Sequence, residues 1–257
     1  MAAASTNERR IAGRLIARLE DDAKEREVSR VCIGLGYTGL VLDDGNMGLA
    51  YTFRREAPGG CTLDMALRPL GGRRASELLP LLVSENRIEA GLALACANAL
   101  VGDPVEGVVE GDILDRIDVG PGDDVGMVGY FGPLIGKLRA RARSLTVFEK
   151  REVDDGEVLP PSEAVRMLPG FDVVLVTSTS ILNHTVDDLL EACTAARQVV
   201  MLGASTPLLP AAFSDTPVTL LSGVVPRAPA RILEILAEAG GMQLFGKHVR
   251  KVNVRVG

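Results

Sequence analysis

The residues best able to do chemistry follow short apolar runs. Gly129, Gly132 and Gly136 come directly after the run at 125–128, spaced Gly-x-x-Gly-x-x-x-Gly, with Tyr130, Phe131 and Pro133 between them. A strand, a glycine turn and a helix in that order aim free backbone N–H groups at the space beyond the strand, where an anion or a polar ligand can sit. Glu149 lies about twenty positions after Gly129, where a dinucleotide-binding fold keeps its ribose-binding acid. The spacing nevertheless departs from GxGxxG. Tyr130 and Phe131 also put bulk where a pyrophosphate needs clearance. Further along, Thr177-Ser178-Thr179-Ser180 and Gly203-Ala204-Ser205-Thr206-Pro207 each close an apolar run. Hydroxyls and glycines of this kind suit an anionic or multiply hydroxylated small molecule. His184, one of two histidines, follows Asn183 in a polar loop. The pair is the candidate for general acid–base work, and the alternative is a capping or solvent-exposed imidazole. No GxSxG elbow, HExxH or Walker A sequence occurs.

These residues need a scaffold to hold them. Residues 125–129, 145–149, 171–177, 199–202 and 218–225 read as strands, and helical patterns alternate with them. A doubly wound parallel sheet follows, with 249–256 as a final edge strand. The first half reads differently. A helix at about 6–25 precedes a β-rich stretch at 28–53 that turns at Asp44-Gly45-Asn46. Ser76 is placed to cap a short helix. Residues 84–102 read as a long, Ala-rich, buried helix with Ser84 at its N-cap and Gly102 past its end. Asn98 interrupts its apolar surface, and structural bonding or a ligand contact would each satisfy the amide. The acidic, Gly- and Pro-rich stretch 103–124 reads as a solvated linker. Gly120-Pro121-Gly122 marks the expected division into domains 1–120 and 121–257.

Composition narrows the partners. A net charge of −6 offers no general basic surface for nucleic acid, and 4% aromatics without tryptophan offer no base-stacking platform. The amphipathic N-terminus has no signal-peptide core, and no window is apolar enough to span a membrane, so a cytoplasmic protein is expected. Cys32, Cys61, Cys96 and Cys193 form no CxxC pair. The first, third and fourth read as small buried hydrophobes.

Several of these stretches, taken in order, resemble the DUF364 family, whose members carry a heavy-metal chelation label and join an enolase N-terminal-like domain to a Rossmann-like domain. They are Ile33-Gly34-Leu35-Gly36-Tyr37-Thr38, Gly48-Leu49-Ala50-Tyr51-Thr52, Gly91-Leu92-Ala93 with Ala97-Asn98-Ala99, Val128-Gly129-Tyr130-Phe131-Gly132-Pro133, residues 177–185 and Gly203-Ala204-Ser205-Thr206-Pro207. The resemblance implies an α/β protein: an N-terminal α+β domain followed by a doubly wound parallel sheet, with the site in the cleft between them. Tyr37, Thr38, Thr52 and Asn98 would come from the first domain. Gly129, Phe131, Ser178, Thr179, Asn183, His184 and Ser205 would come from the second, and the strand-end reading above adds Gly132, Glu149 and Thr206 as ligand contacts. Fold does not dictate function, and three classes stay open. One is an enzyme of metal or metal-chelator metabolism. Another is an enzyme using a nucleotide or S-adenosylmethionine. The third is a non-catalytic carrier of a metal or metallophore. A metal ion is thus one expected ligand and a small molecule the other, and a homodimer through the apolar elements stays open too.

Overall fold

A computed structural model describes residues 10–57, 63–104, 107–150 and 158–257. Its strands in chain order are β1 (Val28–Ile33), β2 (Tyr37–Leu42), β3 (Met47–Tyr51), β4 (Val108–Glu110), β5 (Asp124–Val128), β6 (Ser144–Phe148), β7 (Val158–Leu159), β8 (Val173–Thr177), β9 (Gln198–Leu202), β10 (Leu220–Pro226) and β11 (Val249–Arg255). The helices are α1 (Ile11–Glu25), α2 (Ala75–Leu78), α3 (Arg87–Val101), α4 (Gly132–Arg139), α5 (Ala164–Met167), α6 (Val186–Ala192), α7 (Pro229–Ala237) and α8 (Met242–Phe245).

The strands form an antiparallel sheet β1-β2-β3 and an eight-stranded sheet ordered β4-β11-β10-β9-β8-β5-β6-β7. From β7 to β10 all neighbours are parallel, and β11 runs against β10 and β4. Chain order therefore reverses between β5 and β8, the switch point where α/β sheets open a crevice at their carboxyl ends. The parallel strands are apolar on both faces, as strands covered twice must be. Val173, Leu175, Val200 and Leu202 join the core under α4, while Val174, Val176, Val199 and Met201 join the larger core on the other face.

That larger core crosses from one half of the chain to the other. It takes in Leu15 and Leu19 of α1 and the buried length of α3, and continues into Val174, Met201, Leu221 and Val252 of the large sheet. In the small sheet, β2 and β3 are likewise buried on both faces. Leu40, Leu42 and Ala50 belong to the core that contains α3. Val41, Met47 and Leu49 pack on Ile232, Ile235 and Leu236 of α7 and Phe245 of α8. The period-two alternation of β2 and β3 thus divides between two helical layers, one from each half of the chain.

Several details differ from the sequence reading. β4 forms inside the stretch expected to be a linker, and β11 is an inner strand because β4 covers its edge. β4 also lies before the expected division at residue 120 yet pairs with the second sheet. The long helix is capped by Asn86, whose Oδ1 accepts the Ile88 N–H at 3.0 Å. Ser84 sits two positions outside, accepting from the Asn86 N–H and donating to Glu89 Oε2. The turn between β2 and β3 is as expected, with Gly45 at φ 86° and Asp44 Oδ1 accepting from the Asn46 N–H.

Candidate functional site

The rim at the switch point is built by four strand ends. Gly129 leaves β5 with φ 94°, and its N–H donates to the Phe148 carbonyl at 2.8 Å. A Cβ at Gly129 would lie 2.8 Å from Thr177 Cβ, so glycine is required both by the backbone and by the neighbouring strand end. Thr177 and Thr179 share a hydrogen bond between their hydroxyls at 2.9 Å, and both residues are half-buried. Gly203, at φ 122°, ends β9. The Phe131 ring lies within 4 Å of where a Cβ would stand on Gly129 and on Gly203. It therefore covers the ends of β5 and β9.

This arrangement decides against a pyrophosphate cradle at the turn. The Tyr130 N–H, a donor such a cradle would use, donates to Glu149 Oε2 at 3.0 Å. Pro133 removes a further N–H from the first turn of α4, and the Leu134 N–H is bonded to the Phe131 carbonyl. Gly132 begins α4 with the Tyr130 ring beside it. Glu149 does stand one strand over from Gly129, as a ribose-binding acid would, but here it closes the turn.

The other predicted residues divide by partner. Thr38 and Thr52 are 1% and 4% exposed, and their hydroxyls lie 3.0 Å apart, so they satisfy each other inside the small domain. Asn98 Nδ2 donates to the Leu49 carbonyl at 2.8 Å and to the Ser205 carbonyl at 3.3 Å. It holds the seam between β3 and the segment after β9. Asn98 Oδ1 is buried without a protein partner and borders a recess with room for about one water molecule, lined by Gly48, Leu49, Gly102, Thr206 and Leu208. Ser205 Oγ accepts the Tyr51 N–H at 2.9 Å across the same seam. Ser178 Oγ meets Thr206 Oγ1 at 2.8 Å, and Thr206 donates to the Ser222 carbonyl at 2.9 Å, so both hydroxyls are buried and spent. The Tyr37 ring packs edge-on against Tyr51 and Phe245, and burial raises the pKa of its phenol.

His184 and Asn183, the candidate catalytic pair, are also held by protein groups. His184 sits at φ 59°, and its Nε2 lies 3.1 Å from the Ser84 carbonyl. A carbonyl only accepts, so this bond requires the proton on Nε2. Arg87 Nη1 reinforces the same junction by donating to the Leu182 carbonyl at 2.9 Å. Asn183 Oδ1 accepts from the Thr185 N–H and hydroxyl, closing its own turn. The His184 contact runs to the loop before α3 and the Asn183 contacts stay within their own turn, so neither is given to the rim. What sequence reasoning missed are the ties from the Tyr51 N–H to Ser205 and from Lys150 to Glu56, which join residues far apart in the chain.

The hydroxyl pair lends itself to a test. Thr38→Val strands a buried Thr52 hydroxyl and is expected to cost about 1–3 kcal/mol, and Thr52→Val the same. The double substitution removes both polar groups and is expected to cost less than the sum of the singles. Urea titration of the three variants checks this; strict additivity would mean that the two hydroxyls do not depend on each other.

Among the described residues, no three His, Cys, Asp or Glu side chains converge as a metal site. Burial pushes the thiols of Cys96 and Cys193 up to about 12, so neither supplies a thiolate near neutrality. Cys61 lies outside the described residues.

Fold and rim together define a two-domain α/β protein with a small antiparallel sheet docked against a Rossmann-like sheet, its candidate site at the switch point. The chain belongs to the DUF364 family, described as "Putative heavy-metal chelation", which its residues 112–255 match. Residues 16–101 match DUF4213, which carries the same description. The chain is similar to an uncharacterized protein of Methanocaldococcus jannaschii, 24% identical over 254 residues that cover 94% of each chain. Two crystal structures of DUF364 proteins of unknown function share the fold. One, from Pyrococcus horikoshii, has a TM-score of 0.85 at 21% identity, covering 96% of this chain and 100% of the other. The second, from Desulfitobacterium hafniense, has a TM-score of 0.77 at 23% identity, covering 94% and 98%. No described helix is long and apolar enough to cross a membrane.

Proposed function

We propose that this protein binds a small polar or anionic molecule at the rim formed by Gly129, Phe131, Thr177, Thr179 and Gly203, and that a heavy metal reaches it already held by that molecule. The observation that carries this reading is the gathering of half-buried glycines and the Thr177–Thr179 hydroxyls where strand order reverses. Such a rim supplies hydrogen bonds to the periphery of a chelate. The metal's own donors then come from the chelator, a division that suits buried, protonated cysteines. The family description points to the same metal chemistry. His184 and Asn183 enter as positioning residues that fix the turn after Thr179 against α3.

The test is native mass spectrometry and calorimetry with nickel(II)–citrate, nickel(II)–histidine and aqueous nickel(II). Retention of a chelate is expected, with affinity about tenfold lower in Thr179→Val. Equal binding of the aqueous ion, at a site indifferent to Thr179→Val, would overturn the reading. Turnover of a bound chelate would make the protein an enzyme, and stoichiometric binding alone a carrier. Glu149, just past β6 and one strand over from Gly129, holds the position of a ribose-binding acid and supports a second reading, an adenosyl ligand whose ribose would take the place of the Tyr130 N–H on that carboxylate. S-adenosylmethionine retained by the wild type and lost in Glu149→Ala would replace the first reading with the second.

A further inference from the structure

The segment from Tyr51 to Glu56 is anchored at two points on the large sheet. The Tyr51 N–H donates to Ser205 Oγ, just beyond the end of β9. Glu56 Oε1 accepts from Lys150 Nζ at 2.9 Å, just beyond the end of β6. In the sheet, β9 and β6 are separated by β8 and β5. Three strand spacings amount to about 14 Å. The backbone from Tyr51 to Arg54 spans at most about 10 Å, the 3-10 turn that follows adds about 4 Å, and the Glu56 and Lys150 side chains supply the rest. A segment fixed at both places bridges the interval between the ends of β9 and β6, which holds the carboxyl ends of β8 and β5. Those ends are the switch point.

The strap carries its own chemistry. Phe53 packs edge-on against Tyr51 with ring centres 5.2 Å apart and also leans on the main core, which stiffens the middle of the segment. Residues Arg54–Glu56 form one 3-10 turn, closed by the Glu56 N–H on the Phe53 carbonyl. Glu56 is spent on Lys150. Arg54 and Arg55 are exposed, and among the described residues neither side chain has an ion-pair or hydrogen-bond partner. Two unpaired guanidinium groups beside a rim of threonine hydroxyls match the oxygens of a carboxylate or a phosphate.

We infer that Tyr51–Glu56 is a strap across the candidate site, and that Arg54 and Arg55 on it recognise an oxyanion group of the ligand. The inference rests on the rim reading above and narrows it: the ligand carries carboxylate or phosphate groups, and its charge is read from the small domain. Phe131 and Thr179 form the floor under it, and the arginines select the anion.

The experiment is calorimetry at low ionic strength on the full chain with four probes: citrate, nickel(II)–citrate, inorganic pyrophosphate, and the uncharged bis-histidine chelate of nickel(II). Citrate and pyrophosphate separate a carboxylate from a phosphate ligand. Arg54→Gln/Arg55→Gln is compared with Thr179→Val and with the wild type, and circular dichroism confirms that each variant is folded. The arginines are exposed and unpaired, so their replacement leaves folding intact. At least one oxyanion probe is expected to bind the wild type and to weaken by at least about tenfold in the double arginine variant. That loss should shrink with added salt. The neutral chelate should be unaffected by the arginine change. Oxyanion affinity lost in Thr179→Val but unchanged in the arginine variant would overturn the strap inference and leave the rim reading standing. So would binding of the neutral chelate alone. Binding of none of the four probes would overturn both.

Discussion

Gly48→Ala is expected to cost at least about 3 kcal/mol of folding free energy, because the obstacle is backbone on both sides of the contact. A Cβ at Gly48 would lie 2.0 Å from the Ala95 carbonyl oxygen and 2.4 Å from the Ala99 nitrogen, both on α3. Neither atom can rotate away as a side chain could. The strand and the helix would have to separate along the contact that buries Ala95 and Ala99. Asn98 rides on the same turn of α3, so separation would also stretch its bonds to the Leu49 and Ser205 carbonyls and loosen the seam. Gly36→Ala is the control: a Cβ there meets nothing within 4 Å, and its cost should stay within about 1 kcal/mol. Urea midpoints of the two variants provide the measurement. Equal midpoints would mean that α3 rests on β3 far more loosely than the distances require.

Gly48 also shows why the fold was easier to read than the site. The parallel strands announced themselves as apolar runs because they are covered on both faces, and α3 because its small residues are buried nearly all round. Contacts between distant segments leave no such local trace. β4 and β7 exist only through pairing with β11 and β6, so no pattern inside Val108–Glu110 or Val158–Leu159 marks them. The candidate site suffered most. Thr38 and Thr52 looked free because each hydroxyl's partner is the other, fourteen positions away. Glu149 kept the spacing of a ribose-binding acid while bonding the Tyr130 N–H of its own turn. The bulk of Tyr130 and Phe131, by contrast, was legible as an obstacle to a pyrophosphate, since ring size needs no tertiary contact to be known.

The second large effect concerns the two halves of the chain. Full-length protein is expected to unfold in urea as one cooperative transition, and residues 121–257 alone are expected not to fold. The large sheet presents Val174, Val176, Met201, Leu221, Val252 and Val254 to a core that α1 and α3 complete from the other half. Without them this face meets water, at roughly 25 cal/mol for each Å² of apolar surface left exposed. α7 loses its partner as well, since Ile232, Ile235 and Leu236 pack on Val41, Met47 and Leu49 of the small sheet. β11 would lose β4 and become a long open edge, an invitation to aggregation. Polar ties run the same way, from Ile11 N–H to Asp187, from Arg87 to the Leu182 carbonyl and from His184 to Ser84. Fluorescence and circular dichroism should therefore give coincident midpoints in the full chain, the signature of a single unit. The fragment should bind a hydrophobic dye and show no sharp transition. Two resolved transitions, or a fragment that unfolds cooperatively, would mean that the halves are separable and that the seam beside the candidate site is able to open. A single transition would mean that the rim and the strap above it are held in register by the whole core, so that a ligand meets a site already assembled.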